Sequence, residues 1–286
     1  MNILNILDEI EKVDGEIYER LSPRRKAMKD FFNVGKKVSL AALPLALGSM
    51  FQKAYGQTNP SSVTEVLNFA LALEYLEYNF YDRALAATST IAFPSAAART
   101  EITVIRGHER AHVDLLKGAL GITGADGYTA ADFDFTGAAT FGTAFADVFS
   151  NYATFLKVAT AFEDTGVRAY KGQAGVLKGM PVLTTALQIH SVEARHASHL
   201  RGMALAAGLP LKPWIAFAAN GNDTGIAQVN AVYAGEQNTT IAGVEITGIN
   251  GTAVSQTQAA ESFDEILTGT AVKTIANIFI PVRKLA

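Results

Sequence analysis

The chain has 286 residues, a formal net charge of −3, 49% hydrophobic and 18% charged residues, and no cysteine. That length holds one sizeable domain with an extension, or two small domains, and the near-neutral charge gives no basic footprint for nucleic acid. Without cysteine, thiolate catalysis, disulfides and cysteine-based metal sites are excluded, so any metal must be held by oxygen and nitrogen.

The first 21 residues read as an amphipathic helix with Ile3, Ile6, Leu7, Ile10 and Val13 on one side. Pro23-Arg24-Arg25-Lys26-Ala27-Met28-Lys29 is basic, and Val38 to Phe51 is an uncharged, mostly apolar run. The run is shorter than the roughly 20 apolar residues that span a bilayer. It has the length of a signal-peptide core, and Ala54-Tyr55-Gly56 offers a small-x-small cleavage site. The paired arginines resemble a twin-arginine export signal, although Pro23 stands where Ser or Thr is usual. Residues 1–56 are therefore expected to be a cleaved leader, giving a periplasmic chain that starts near Gln57 and has no stable membrane insertion. The other reading is a basic helix followed by an apolar core helix, in a cytoplasmic protein.

Four helices are predicted next. After the start signal Asn59-Pro60-Ser61-Ser62, the first runs over Val63 to Ala87 with the stripe Leu67, Ala70, Glu74, Glu77 and Tyr81. The second runs over Ala96 to Leu120, with Ile102, Ile105, Glu109, His112 and Leu116 at steps of three and four. A Gly-, Asp- and Thr-rich stretch from Gly121 to Gly137 suits a long crossover. The third helix is expected from about Gly142 to Lys171, with Phe149, Tyr152, Leu156, Ala159, Glu163, Gly166 and Tyr170 in line. The fourth, Val182 to Ala207, repeats Glu-x-x-His on the stripe Ala186, Ile189, Glu193, His196, Leu200 and Met203. Residues 208–286 form an extension in which Val244, Ile246 and Ile249 before Asn250-Gly251 suggest a hairpin. Thr257 to Ile280 reads as a last helix, and no chemical constellation stands out in the extension.

Carboxylates and imidazoles on apolar stripes need a partner. Four helices around one core would bring together Glu74, Glu109, His112, Glu163, Glu193 and His196. Glu77 shares the stripe of Glu74 and is the alternative ligand from the first helix. An internal repeat favours Glu74, because aligning Glu74 with Glu163 also aligns Tyr81 with Tyr170 and sets Glu77 opposite Gly166. Four carboxylates in a low-dielectric core cost several kcal/mol each unless they protonate or find cations, and two divalent ions neutralise them. Tyr81 and Tyr170 are candidates for hydrogen bonds to the ligands or for core packing. His108 and His190 lie one turn from the motifs, His199 is expected at the rim, and Arg110 and Arg195 on outer faces.

One Glu, Glu-x-x-His, one Glu, Glu-x-x-His on four successive helices is the pattern of a ferritin-like di-metal bundle, and the chain resembles the ferritin-like superfamily. More closely it resembles the bacterial ferritin-like proteins of the desiccation-related type. Leu67-Asn68-Phe69-Ala70-Leu71, Leu73-Glu74-Tyr75-Leu76-Glu77, Phe133-Asp134-Phe135, Val192-Glu193-Ala194-Arg195-His196 and Ser262-Phe263-Asp264-Glu265 carry that likeness. It implies an all-α, ferritin-like four-helix bundle over residues 57–207 with a long crossover connection, and a C-terminal extension ending in an extra helix. Oxygen and imidazole ligands with room for two ions favour iron, or manganese, over zinc. The function expected is redox chemistry with dioxygen or peroxide, as a ferroxidase or in peroxide removal. The rival reading is a non-enzymatic metal-binding or stress-protection protein with a structural site. Metal ions and small oxidants are the expected partners, and a homo-oligomer is compatible with the pattern.

Overall fold

Ser62 starts the first helix through a reciprocal capping box. Its hydroxyl accepts from the Glu65 amide at 3.2 Å, and the Glu65 carboxylate accepts from the Ser62 amide at 3.0 Å. The computed structural model describes residues 62–122, 127–138, 142, 145–217, 219, 221–251 and 253–285, so the expected leader lies outside the described residues. Helix α1 spans Val63–Leu85, α2 Ala96–Leu120, α3 Tyr152–Gln173 and α4 Val182–Ala206. Helix α2 is capped by Ser95, whose hydroxyl accepts from the Ala98 amide at 3.0 Å, and ends at Gly121 with φ 68°. That left-handed residue is a common helix stop.

The helices pack as two close pairs, α1 with α2 and α3 with α4. Two apolar clusters fix their directions. Helix α1 enters the smaller cluster with Val66 and Leu67 and leaves in the larger with Phe80 and Ala84. Helix α2 returns, from Ile102 and Ile105 in the larger cluster to Val113 and Leu116 in the smaller. Helix α3 runs from Phe155 in the larger cluster to Tyr170 in the smaller, and α4 runs back from Ile189 to Leu200. Helices α2 and α3 are therefore parallel, and the chain between them must cross the length of the bundle. This is the ferritin-like arrangement with its long crossover. Phe133, Phe135, Phe145 and Val148 of the crossover are buried in the larger cluster.

Three details differ from the pattern read in the sequence. The third helix begins at Tyr152 rather than near Gly142, because the Asn151 side chain caps it, accepting from the Ala153 and Thr154 amides at 3.0 and 3.3 Å. Asp147 holds Asn151 in turn, accepting from its amide and side-chain nitrogen at 2.8 Å each. Phe149 accordingly packs from the turn. The hairpin exists but reverses earlier: β1 (Thr240–Ile241) pairs antiparallel with β2 (Val244–Glu245) across Ala242 and Gly243, with φ 51° and 81°. Two positive φ values suit a tight hairpin, whereas Asn250-Gly251 closes a 3₁₀ turn. Beyond the short α5 (Ala227–Asn230), the expected last helix is two pieces, α6 (Gln256–Ser262) and α7 (Gly269–Ala276). Between them the chain is pinned in extended form against α3, the Leu267 amide donating to the Arg168 carbonyl at 3.3 Å. Gly172 permits this, since a Cβ there would collide with the Leu267 carbonyl oxygen.

Helix α3 is buried on nearly every face from Phe155 to Gln173, as expected of a helix covered on all sides. The bundle covers one side and the extension the other. Among the described residues no helix is long and apolar enough to cross a membrane.

Candidate metal centre

Between the two apolar clusters, halfway along all four helices, lies a layer of acids. Glu74, Glu109, Glu163 and Glu193 are each fully buried and Glu77 nearly so. Helical spacing puts Glu109 and His112, and likewise Glu193 and His196, one turn apart on the same inward face. Donor atoms of Glu74, Glu109, His112 and Glu193 all lie within 4.8 Å of one another, and so do those of Glu109, Glu163, Glu193 and His196. The six residues singled out in the sequence thus form two adjacent groups that share Glu109 and Glu193. Glu77 belongs to neither group. Its Oε1 lies where a Cβ on Gly166 would come within 3.1 Å.

The two halves mirror one another. His112 Nδ1 is 3.0 Å from Glu74 Oε2 and 3.1 Å from both Glu109 Oε2 and Glu193 Oε1. His196 Nδ1 is 2.9 Å from Glu109 Oε1 and 3.2 Å from Glu163 Oε2. The tyrosine hydroxyls cross between pairs, Tyr170 donating to Glu74 and Tyr81 to Glu163. A single Nδ1 proton cannot serve three oxygens, so oxygens converge on each imidazole in excess of the hydrogen bonds it can make. Both oxygens of Glu193 and Oε1 of Glu109 are buried without a hydrogen bond; the histidine nitrogens close to Glu109 Oε1 and Glu193 Oε1 are not aligned to donate to them.

Electrostatics follow from this crowding. Burial raises Glu193 and Glu77 well above the usual carboxylate range, and neighbouring glutamates raise them further. Burial likewise lifts Glu74 to about 7, although a hydrogen bond from His112 opposes it. Glu109 also resists ionisation by burial, but the hydrogen bond from His112 and the His196 imidazole beside it outweigh this and hold it at about 2. Burial would lower His196, yet the charge of Glu163, which accepts its hydrogen bond, and the Glu109 carboxylate beside it raise it to about 10. His112 is raised in the same way by Glu109, Glu193 and Glu74. The layer demands positive charge, and within the cluster the imidazoles are what supply it. Unsatisfied buried oxygens of this kind, with nitrogen donors beside them, fit divalent cations.

The remaining candidates separate cleanly. His108 Nδ1 lies 2.9 Å from His196 Nε2 and so touches the cluster from behind. His190 Nδ1 instead meets the Val167 carbonyl at 3.0 Å, and His199 is exposed beside Glu101. Arg110 and Arg195 face outward.

A second buried polar network went unseen in the sequence. Arg168 of α3 is fully buried, paired with Glu236 at 3.0 Å, and donates to the carbonyls of Glu265 at 2.9 Å and Ala234 at 2.8 Å, as well as to that of Val232. Arg201 of α4 pairs with Asp164 and reaches Asn222, while the Tyr233 hydroxyl donates to Asp164 at 2.9 Å. Both arginines fasten the extension to the bundle. The available signal was Asp164 and Arg168 one turn apart on α3.

Fold and cluster together define a helical-bundle protein with a buried acid and histidine centre able to hold metal ions. The model of the ferritin-like domain family matches residues 62–206, just over half of the chain, and the chain belongs to that family. Comparison with curated proteins and with solved structures finds no match.

Proposed function

We propose that the cluster holds two metal ions, iron first and manganese as the alternative, and that the protein carries out redox chemistry with dioxygen or peroxide, as a ferroxidase or in peroxide removal. The observation that supports this is the set of unsatisfied buried oxygens on Glu109 and Glu193, the two residues common to both donor groups. Glu74 and His112 would complete one position, Glu163 and His196 the other. Two divalent charges cancel four carboxylates, and a ligand set of oxygens and imidazoles with two positions side by side suits iron or manganese better than zinc in a closed tetrahedron. Bound there, a redox-active pair supplies the electrons for reduction of a small oxidant.

The chain's own residues prepare the site. Tyr170 and Tyr81 donate to Glu74 and Glu163, fixing the carboxylate rotamers, and His108 fixes the imidazole of His196. Outer partners of this kind orient ligands. The packed rings of the larger apolar cluster keep bulk water out on that side of the layer.

Metal analysis and oxygen-dependent absorption of the iron-loaded protein test this beside Glu109→Ala. Two metals per chain are expected in the wild type, with loss of one or both in the variant, since Glu109 belongs to both groups. A variant holding the same two metals would sink the assignment. Metal bound without turnover of Fe(II) or peroxide would leave a structural site in place of the enzyme.

A further inference from the structure

The apolar cluster on one side of the acid layer is not filled. A cavity of about 430 Å³ opens there, between the helix pairs at the end where α1 begins and α2 ends. Leu67, Ala70, Leu73, Ala186 and Ile189 line it, and none of the described residues around it is charged. Leu115, which also lines it, is 47% exposed, and Ala119 and Pro181 beside it are exposed too. They mark an entrance from solvent. Tyr170, the residue whose hydroxyl holds Glu74, is also part of the wall. The opposite apolar cluster, by contrast, is packed with interlocking rings, Phe80 stacked on Phe155 at 5.3 Å and edge-on to Phe162 at 5.0 Å.

Protein interiors are close-packed, and a mostly apolar space of this size that opens to solvent keeps hydrocarbon surface in contact with water. Its volume falls in the range of small-molecule sites. Its walls offer a ligand no ion pair. Its lining is apolar apart from polar groups of Gln173, Thr185 and Tyr170, which suits an uncharged, mostly hydrocarbon ligand. We propose that the cavity binds an uncharged hydrocarbon chain, entering past Leu115 and lying against Tyr170. The site stands on the cavity alone and does not depend on metal. If the cluster holds metal, the bound chain would touch Tyr170, one hydrogen bond away from the ligand residue Glu74.

Titration of the full chain with 1-decanol, followed calorimetrically, tests the site, and decanoate in a parallel titration distinguishes a neutral chain from a fatty acid. Saturable one-to-one binding of decanol is expected, with decanoate bound only if its carboxylate stays at the mouth. Ala186→Phe fills the cavity and should weaken binding at least tenfold. Because that variant can perturb packing, Leu115→Asp at the exposed entrance provides a second arm and should weaken it similarly. Glu109→Ala should leave decanol binding within twofold of wild type whatever it does to metal, so the two proposals fail separately. No saturable binding, or binding indifferent to both cavity variants, would overturn the inference. So would binding that appears only after Leu43→Asp and Leu47→Asp, which would put the chain's own apolar run in the cavity.

Discussion

Gly166 sits where α3 comes nearest to the acids of α1 and α4. A Cβ at this position would lie 3.1 Å from Glu77 Oε1 and 3.4 Å from Glu193 Oε2. Alanine would favour the helix by about 1 kcal/mol, and the tight contact would cost a similar amount, so Gly166→Ala should fold with little net change in stability. Its effect should fall on Glu193, which belongs to both donor groups. Metal affinity measured against a chelating dye is expected to drop about tenfold, or roughly 1.4 kcal/mol; unchanged affinity would remove the Gly166 gap from the account. The choice between Glu74 and Glu77 shows what sequence can resolve at this scale. Both lie on one helical stripe, so periodicity alone admits either, and the repeat that pairs Glu74 with Glu163 was needed to separate them. The structure places Glu74 within 3.0 Å of His112 and Glu77 outside both groups. The crossed tyrosines could be placed only as candidates, because a hydrogen bond between helices depends on how the pairs dock, which spacing within one helix does not encode.

At the scale of elements, the bundle helices were legible and the extension was not. Apolar steps of three and four mark α1, α2 and α4 to within two residues, since each has one inward face. Helix α3 has no outer face, so its start had to be set by Asn151 and Asp147, local hydrogen bonds that compete with helix continuation. Arg168 is the other consequence. On an ordinary helix an arginine points to solvent, and only burial by the extension turns it into an anchor for the segments around Ala234 and Glu265. Arg168→Met should strand Glu236 and several carbonyls and destabilise the protein by about 3–5 kcal/mol. Limited proteolysis between residues 231 and 266 should accelerate, and adding Glu236→Gln should restore part of the loss. An extension that stays protected would show that α6 and α7 dock by apolar contact alone. Asp264 in the same segment makes docking depend on pH. Burial raises its carboxyl to about 6, and its Oδ1 has no hydrogen-bond partner. A group raised in the folded state favours folding while protonated, and that contribution is lost as pH rises through 6. Asp264→Asn should therefore stabilise the protein on the order of 2 kcal/mol at pH 7.5 and by progressively less towards pH 5. Equal gains at both ends of that range would rule the charge out as the cause.

Across the whole molecule the acid layer separates two apolar clusters, and it is the least stable part of the design unless it is neutralised. Five buried glutamates face two imidazoles, so the folded state without metal must hold protons or bear repulsion among carboxylates drawn from all four helices. Cations that bind this layer and not the unfolded chain stabilise every helix at once, by about 4 kcal/mol at a thousand times the dissociation constant. For a domain of this size that corresponds to roughly 10 °C in unfolding midpoint. Calorimetry of the iron-loaded protein, before and after chelation at pH 7, should record a fall of that order, reversed by Fe(II). Glu109→Ala should show a smaller fall than the wild type, or none, since the shared ligand is gone. A wild type indifferent to the chelator would mean that protons, with His112 and His196 as counter-charges, already satisfy the layer. The same comparison separates local from global coupling: loss of metal should lower the single unfolding transition of bundle and extension together, because α3 carries Glu163 on the side facing the cluster and Arg168 on the side fastening the extension.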